Sequence, residues 1–161
     1  MRSSYHPRGG GGRFHRLSTV EHVRRCCPRG YARGVTGAEG RWNTADMAWE
    51  RTVRSEDVTG VLSRVEVRGR PVLLGRTADG RAIAVAPRCP HENRPLDGAP
   101  VTGDEISCPY HHYTYDARTG ENRSPRAQLP PSLACHVRDL RVYPVQERDG
   151  WVWIRLRRLP R

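Results

Sequence analysis

From Trp49 onward, short apolar runs alternate with polar turns at a spacing that predicts β-strands. Val65 and Val67 alternate with polar neighbours, Gly69-Arg70 signals a turn, and Val72-Leu73-Leu74 resumes an apolar run. Ala78-Asp79-Gly80 turns the chain into Ile83 and Val85, which predicts a hairpin of short strands. Gly103-Asp104 leads into Ile106. Tyr113 and Tyr115 then share one face of a short strand that Arg118-Thr119-Gly120 turns back. Leu140, Val142 and the region of Val145 are predicted to pair with Trp151-Val152-Trp153-Ile154 across Arg148-Asp149-Gly150. Asp-Gly between apolar runs is a strong hairpin cue. No segment sustains a 3.6-residue period, although Ser55 to Leu62 suits a short helical turn. The pattern predicts an all-β domain of small antiparallel sheets in sandwich or barrel form.

Residues 1–46 read differently. Gly9 to Gly12 form a run, half of all glycines lie here, and arginine outnumbers acidic residues nine to three. Large apolar side chains are few, so the segment cannot bury enough surface to offset its chain entropy. It is expected to be a disordered basic segment. Two other readings stay open: a basic docking tail, or an untranslated stretch with Met47 as the true start. The folded domain is expected over 47–161.

The chain carries a formal net charge of +11, and all 28 of its basic residues are arginine. Uniform arginine use points to a GC-rich genome rather than to a selected binding surface. No nucleic-acid motif accompanies the charge, and no run of about 18 apolar residues could span a bilayer. An acidic protein partner is the milder use of such a field. The five cysteines do not form a disulfide framework: Cys26 and Cys27 are adjacent, and Cys135 stands alone. Free thiols suit a reducing compartment, and no apolar signal core follows the N-terminal arginines, so a cytoplasmic location is expected.

The chemistry concentrates in two short arms. Cys89-Pro90-His91 and Cys108-Pro109-Tyr110-His111 are separated by sixteen residues and read as C-x-H…C-x2-H. Each arm offers one sulfur and one imidazole. Zinc also takes two Cys and two His, but zinc fingers group their ligands as two Cys followed by two His. Arms of mixed type suit a pair of bridged irons, with both sulfurs on one and both imidazoles on the other. Neutral imidazole in place of thiolate removes negative charge and eases reduction at the His-bound iron. His112 offers an alternative ligand at C-x3-H spacing, although the spacing of His111 is favoured.

These arms carry a family resemblance. APRCPHENRPLDGAPV and SCPYHHYTYDARTG resemble the two cluster loops of a Rieske domain, and RVYPVQERDGWVWI resembles its closing hairpin in ring-hydroxylating oxygenases. The resemblance runs from about Val53 to Leu156. It implies one [2Fe–2S] cluster per chain, held by Cys89, His91, Cys108 and His111, in a small cluster-binding lobe from Cys89 to about Arg123 on a basal β domain. It also implies that Pro90 and Pro109 stiffen the loops.

Rieske proteins of cytochrome bc complexes join the two loops by a disulfide. The matching positions here are Arg94 and Tyr110, and Tyr113 stands where those proteins have Ser. A potential in the lower part of the family's range, roughly −150 to +300 mV, follows. Tyr115 is equally suited to donating to a cysteine sulfur and to simple packing. His112 replaces the family's usual Gly. Pro125, Pro130 and Pro131 are candidates for a proline-rich cover over the cluster, and Cys135 and His136 receive no metal role.

Beyond His112 the chain has one further histidine, His136, so no two-His-one-carboxylate iron site fits. An independent catalytic site is therefore not expected. The resemblance implies a Rieske-type ferredoxin that passes single electrons from a flavin-dependent ferredoxin reductase to a terminal oxygenase. Its alternatives are a detached Rieske subunit of a multicomponent oxygenase and a metal-bound structural or redox-sensing module.

Overall fold

The computed structural model describes residues 47–157. The readings of residues 1–46, Cys26 and Cys27 included, lie outside the described residues. The strands in chain order are β1 (Met47–Arg54), β2 (Ser63–Val67), β3 (Arg70–Arg76), β4 (Ala82–Val85), β5 (Val101–Thr102) and β6 (Glu105–Ser107). They continue with β7 (Thr114–Asp116), β8 (Asn122–Ser124), β9 (Val142–Tyr143), β10 (Val145–Arg148) and β11 (Trp151–Arg157). One short helix, α1 (Pro131–Ala134), precedes β9. The fold is all-β, with three antiparallel sheets ordered β1-β11-β10, β2-β3-β4-β9 and β5-β6-β7-β8.

The unbroken apolar run in β3 explains how the sheets stack. Successive strand side chains point to opposite faces, so a run without alternation is a strand buried on both sides. Val72 and Leu74, with Ala84 of β4, pack against Val152, Ile154 and Leu156 of β11. Leu73, with Ile83 and Val85 of β4, packs on the other side against Ile106, Tyr115 and the two motif cysteines. The middle sheet therefore separates two cores, one basal and one belonging to the motif loops. Each fully buried Leu or Val contributes about 1.5–3 kcal/mol relative to exposure. On β1, Arg51 and Arg54 lie over the ring of Trp151, while Arg148 lies over Trp153. Part of the arginine excess thus covers indole faces.

The Arg148-Asp149-Gly150 hairpin forms as expected. Asp149 and Gly150 both have positive φ (55° and 73°), which the favoured two-residue hairpin turn requires. Three expectations are corrected, and one short helix forms where none was expected. The first hairpin turns at Arg68-Gly69 rather than Gly69-Arg70, with φ of 54° and 69°. The helical turn after β1 is confined to Ser55–Asp57. Helix α1 arises without any helical period, opened by Pro131 at its first position. Finally, Val142 does not join the closing hairpin. Pro144 splits the apolar run, so Val142 and Tyr143 pair with β4 while Val145–Arg148 pair with β11.

Candidate metal centre

The first motif arm lies between β4 and β5, and the second between β6 and β7. They are the same turn made twice. In the first, the Cys89 N–H donates to the Arg94 carbonyl (2.8 Å) and the Asn93 N–H donates to the Cys89 carbonyl (2.8 Å). In the second, the Cys108 N–H donates to the Tyr113 carbonyl (2.9 Å) and the His112 N–H donates to the Cys108 carbonyl (3.0 Å). In each turn proline follows the cysteine and limits the backbone. The fourth residue after the cysteine is left-handed, Asn93 at φ 57° and His112 at φ 55°. That conformation explains why glycine suits position 112. Asn and His are among the side chains that best tolerate it. In this correspondence His91 matches Tyr110, and Glu92 matches His111.

The turns place the four predicted residues in two layers, the cysteines in a buried core and the histidines at the surface, and among them the imidazoles are the pair whose rings meet. Cys89 and Cys108 are each 1% exposed and belong to the core of the motif loops. His91 and His111 are exposed, with ring centroids 5.1 Å apart and planes at 85°. Tyr113 stacks on His91 at 4.0 Å and 12°, fixing that ring. Tyr115 is fully buried with its Oη 3.1 Å from Cys89 Sγ, so it serves packing and the sulfur at once.

Burial pushes the Cys89 thiol up; the Tyr115 hydroxyl and the His91 backbone N–H pull it down, and neighbouring Cys108 raises it again. A thiolate here is costly without a cation beside it, which is the condition a metal cluster meets. Burial, and then Cys89, push Tyr115 far above the ordinary phenol range, so it keeps its proton for the sulfur. Two buried sulfurs beneath two solvent-facing imidazoles fit a [2Fe–2S] group with two kinds of ligand.

Several neighbours were invisible in the sequence pattern. Glu92 Oε2 lies 3.7 Å from His111 Nε2 and 3.8 Å from Arg94 Nε. The Arg94 guanidinium lies 5.5 Å from the Tyr110 ring centroid. The two positions that a disulfide would join are thus in cation–π contact across the turns. Pro90, His91 and Tyr113 line a cleft of about 410 Å³ together with His136, Val137 and Arg138. That last segment is pinned by an ion pair between the largely buried Arg126 and Asp139 at 2.6 Å, and by an Arg126 bond to the Val137 carbonyl. The three prolines expected to cover the site instead introduce the short helical turns, and none lines this cleft. Cys135 is buried, and its Sγ faces the Ser132 carbonyl at 3.4 Å.

A β domain presenting paired thiols and imidazoles on duplicated turns is an iron–sulfur electron-transfer module. Residues 48–144 match the Rieske [2Fe-2S] domain family, and the chain belongs to that family. Its cofactor is accordingly a [2Fe–2S] cluster. The chain is 32% identical over 107 residues to the iron-sulfur subunit of the toluene-4-sulfonate monooxygenase system of Comamonas testosteroni. The match takes in 66% of this chain and 28% of that protein, so the chain spans little more than a quarter of that relative. Dicamba monooxygenase bound to dicamba superimposes with TM-score 0.57 at 27% identity, over 66% of this chain and 33% of that one. The ferredoxin of carbazole 1,9a-dioxygenase from Nocardioides aromaticivorans IC177 gives TM-score 0.54 at 25% identity, over 66% of this chain and 96% of that one. Among the described residues, no helix is long and apolar enough to cross a membrane.

Proposed function

We propose that the chain is a Rieske-type ferredoxin that carries single electrons from a flavin-dependent reductase to a terminal oxygenase. In this reading residues 47–161 form the Rieske domain. Cys89 and Cys108 hold one iron, and His91 and His111 hold the other. The bound cluster supplies a one-electron couple. The two buried sulfurs would hold a bound cluster at the edge of the core, and the two exposed imidazoles would hold it from the surface side, where a partner can reach it. That layering is the observation that carries the proposal. The near-complete coverage of the carbazole dioxygenase ferredoxin favours a carrier. His112 points away from a ligand role: its backbone closes the turn, while His111 is the residue whose ring meets His91.

A second reading makes the chain a detached Rieske subunit of a multicomponent oxygenase, supported by its likeness to an oxygenase iron-sulfur subunit. The test starts with anaerobically purified protein and its iron content, sulfide content and EPR before and after dithionite. Two irons per chain and a reduced-state signal with average g below the free-electron value are expected. Colourless protein with one zinc would overturn the electron-transfer reading. Affinity capture from the native host separates the two roles: a stoichiometric partner supports the subunit, and transient binding supports the carrier.

A further inference from the structure

We propose that Glu92 is a fixed negative charge that holds down the reduction potential of the cluster, and that Arg94 opposes it. This rests on the ligand assignment proposed above.

The duplicated turns carry the argument. Glu92 occupies in the first turn the place that His111 occupies in the second, so the fold sets a carboxylate beside an imidazole across the approximate symmetry. Donor atoms of His91, Glu92 and His111 all lie within 4.8 Å of one another. Glu92 Oε2 faces His111 Nε2 at 3.7 Å, and the guanidinium beside it is Arg94 at 3.8 Å. Arg94 is in turn held over Tyr110 of the opposite turn.

Reduction adds one negative charge on the imidazole-bound side. A carboxylate at this distance disfavours that added charge, and a guanidinium favours it. Both side chains are about half exposed, Glu92 at 46% and Arg94 at 55%, so solvent screens the effect. The expected influence is therefore modest and sensitive to salt.

The experiment is spectroelectrochemical titration of iron-loaded protein, with iron content and EPR read first on each variant. Glu92→Gln keeps shape and removes charge. It should shift the redox equilibrium toward the reduced form about three- to tenfold, a rise of about 30–60 mV at about 59 mV per tenfold for one electron. Glu92→Asp should stay near the parent. Arg94→Gln should move the potential the opposite way. Asp97→Asn is the control for net charge, because Asp97 sits in the same loop but is paired with Arg64 at 2.6 Å; it should leave the potential unchanged. Added salt should shrink the Glu92→Gln shift. An unshifted Glu92→Gln, or equal displacement in one direction by Glu92→Gln and Arg94→Gln, would overturn the proposal while leaving the ligand assignment standing. A parent protein that binds no two-iron cluster would overturn both.

Discussion

Tyr115 does two things that pull on different measurements. Its ring fills the core of the motif loops, and its hydroxyl meets a sulfur. Phenylalanine keeps the first and removes the second. Tyr115→Phe is expected to retain two irons and to lower the potential, by about 59 mV for a tenfold change in the redox equilibrium. Redox titration against the parent measures this, and an unchanged value would mean that the hydroxyl only packs. His112 makes a second test at the same scale. Its left-handed backbone costs a side-chain-bearing residue about 1 kcal/mol. His112→Gly should keep the full iron content and leave the melting temperature level or slightly raised, part of the relief being offset by unfolded-chain entropy. Loss of iron in that variant would make His112 a ligand. The four proposed ligands were legible because alternating Cys and His at short spacing is rare and chemically specific. Glu92 was not, because nothing along the chain says that residues 92 and 111 occupy matching places until both turns are seen.

At the scale of elements, turn chemistry is more legible in the sequence than strand pairing. Asp149-Gly150 declares its hairpin because both residues accept positive φ. Local chemistry of this kind is written in the sequence. The partner of Val142 is not, since strand pairing is decided by distant packing. Pro144 breaks the run between β9 and β10, and its carbonyl accepts the Arg155 N–H at 2.9 Å. A proline there was a signal that two strands, not one, occupy the stretch.

Gly120 shows how closely two elements can meet. Its φ is +77°, and an added Cβ would fall 1.9 Å from the Leu140 carbonyl oxygen. Gly98 has a similar φ of +75° but open space around it. Gly120→Ala is therefore expected to destabilise by about 2 kcal/mol or more, and Gly98→Ala by about 1 kcal/mol. Urea unfolding of the pair isolates the steric part; equal losses would show that the Leu140 backbone gives way freely.

At the scale of the molecule, the described residues form three sheets, with one face of the middle sheet serving a base and the other serving the candidate metal centre. Its acid stability should reflect the lobe that carries the site. Burial opposes ionisation of Asp116, but the backbone N–H groups of Thr119 and Arg118 and the Arg123 guanidinium outweigh it. Together they hold its carboxyl at about 2, below the ordinary 3.8. Because the folded value is the lower one, this stabilisation is present above about pH 4 and fades as pH falls toward 2. Thermal melts across that window should fall more steeply for the parent than for Asp116→Asn. Identical slopes would place the acid sensitivity elsewhere.

Each of the two turns is knotted at its own base by backbone bonds to its own cysteine, independent of anything held between them. Small zinc domains unfold without metal because metal binding supplies their folding free energy, whereas here the cysteines sit in a packed apolar core. For this protein, stripping the iron should bleach the colour and leave the far-ultraviolet circular dichroism in place. Iron, sulfide and a thiol reductant should then restore both colour and EPR signal without a denaturation step. A carrier of the kind proposed, working beside oxygen-activating partners, would be exposed to oxidative loss of its metal. A socket that outlasts its contents lets such damage be repaired by refilling, so the polypeptide can serve through many clusters.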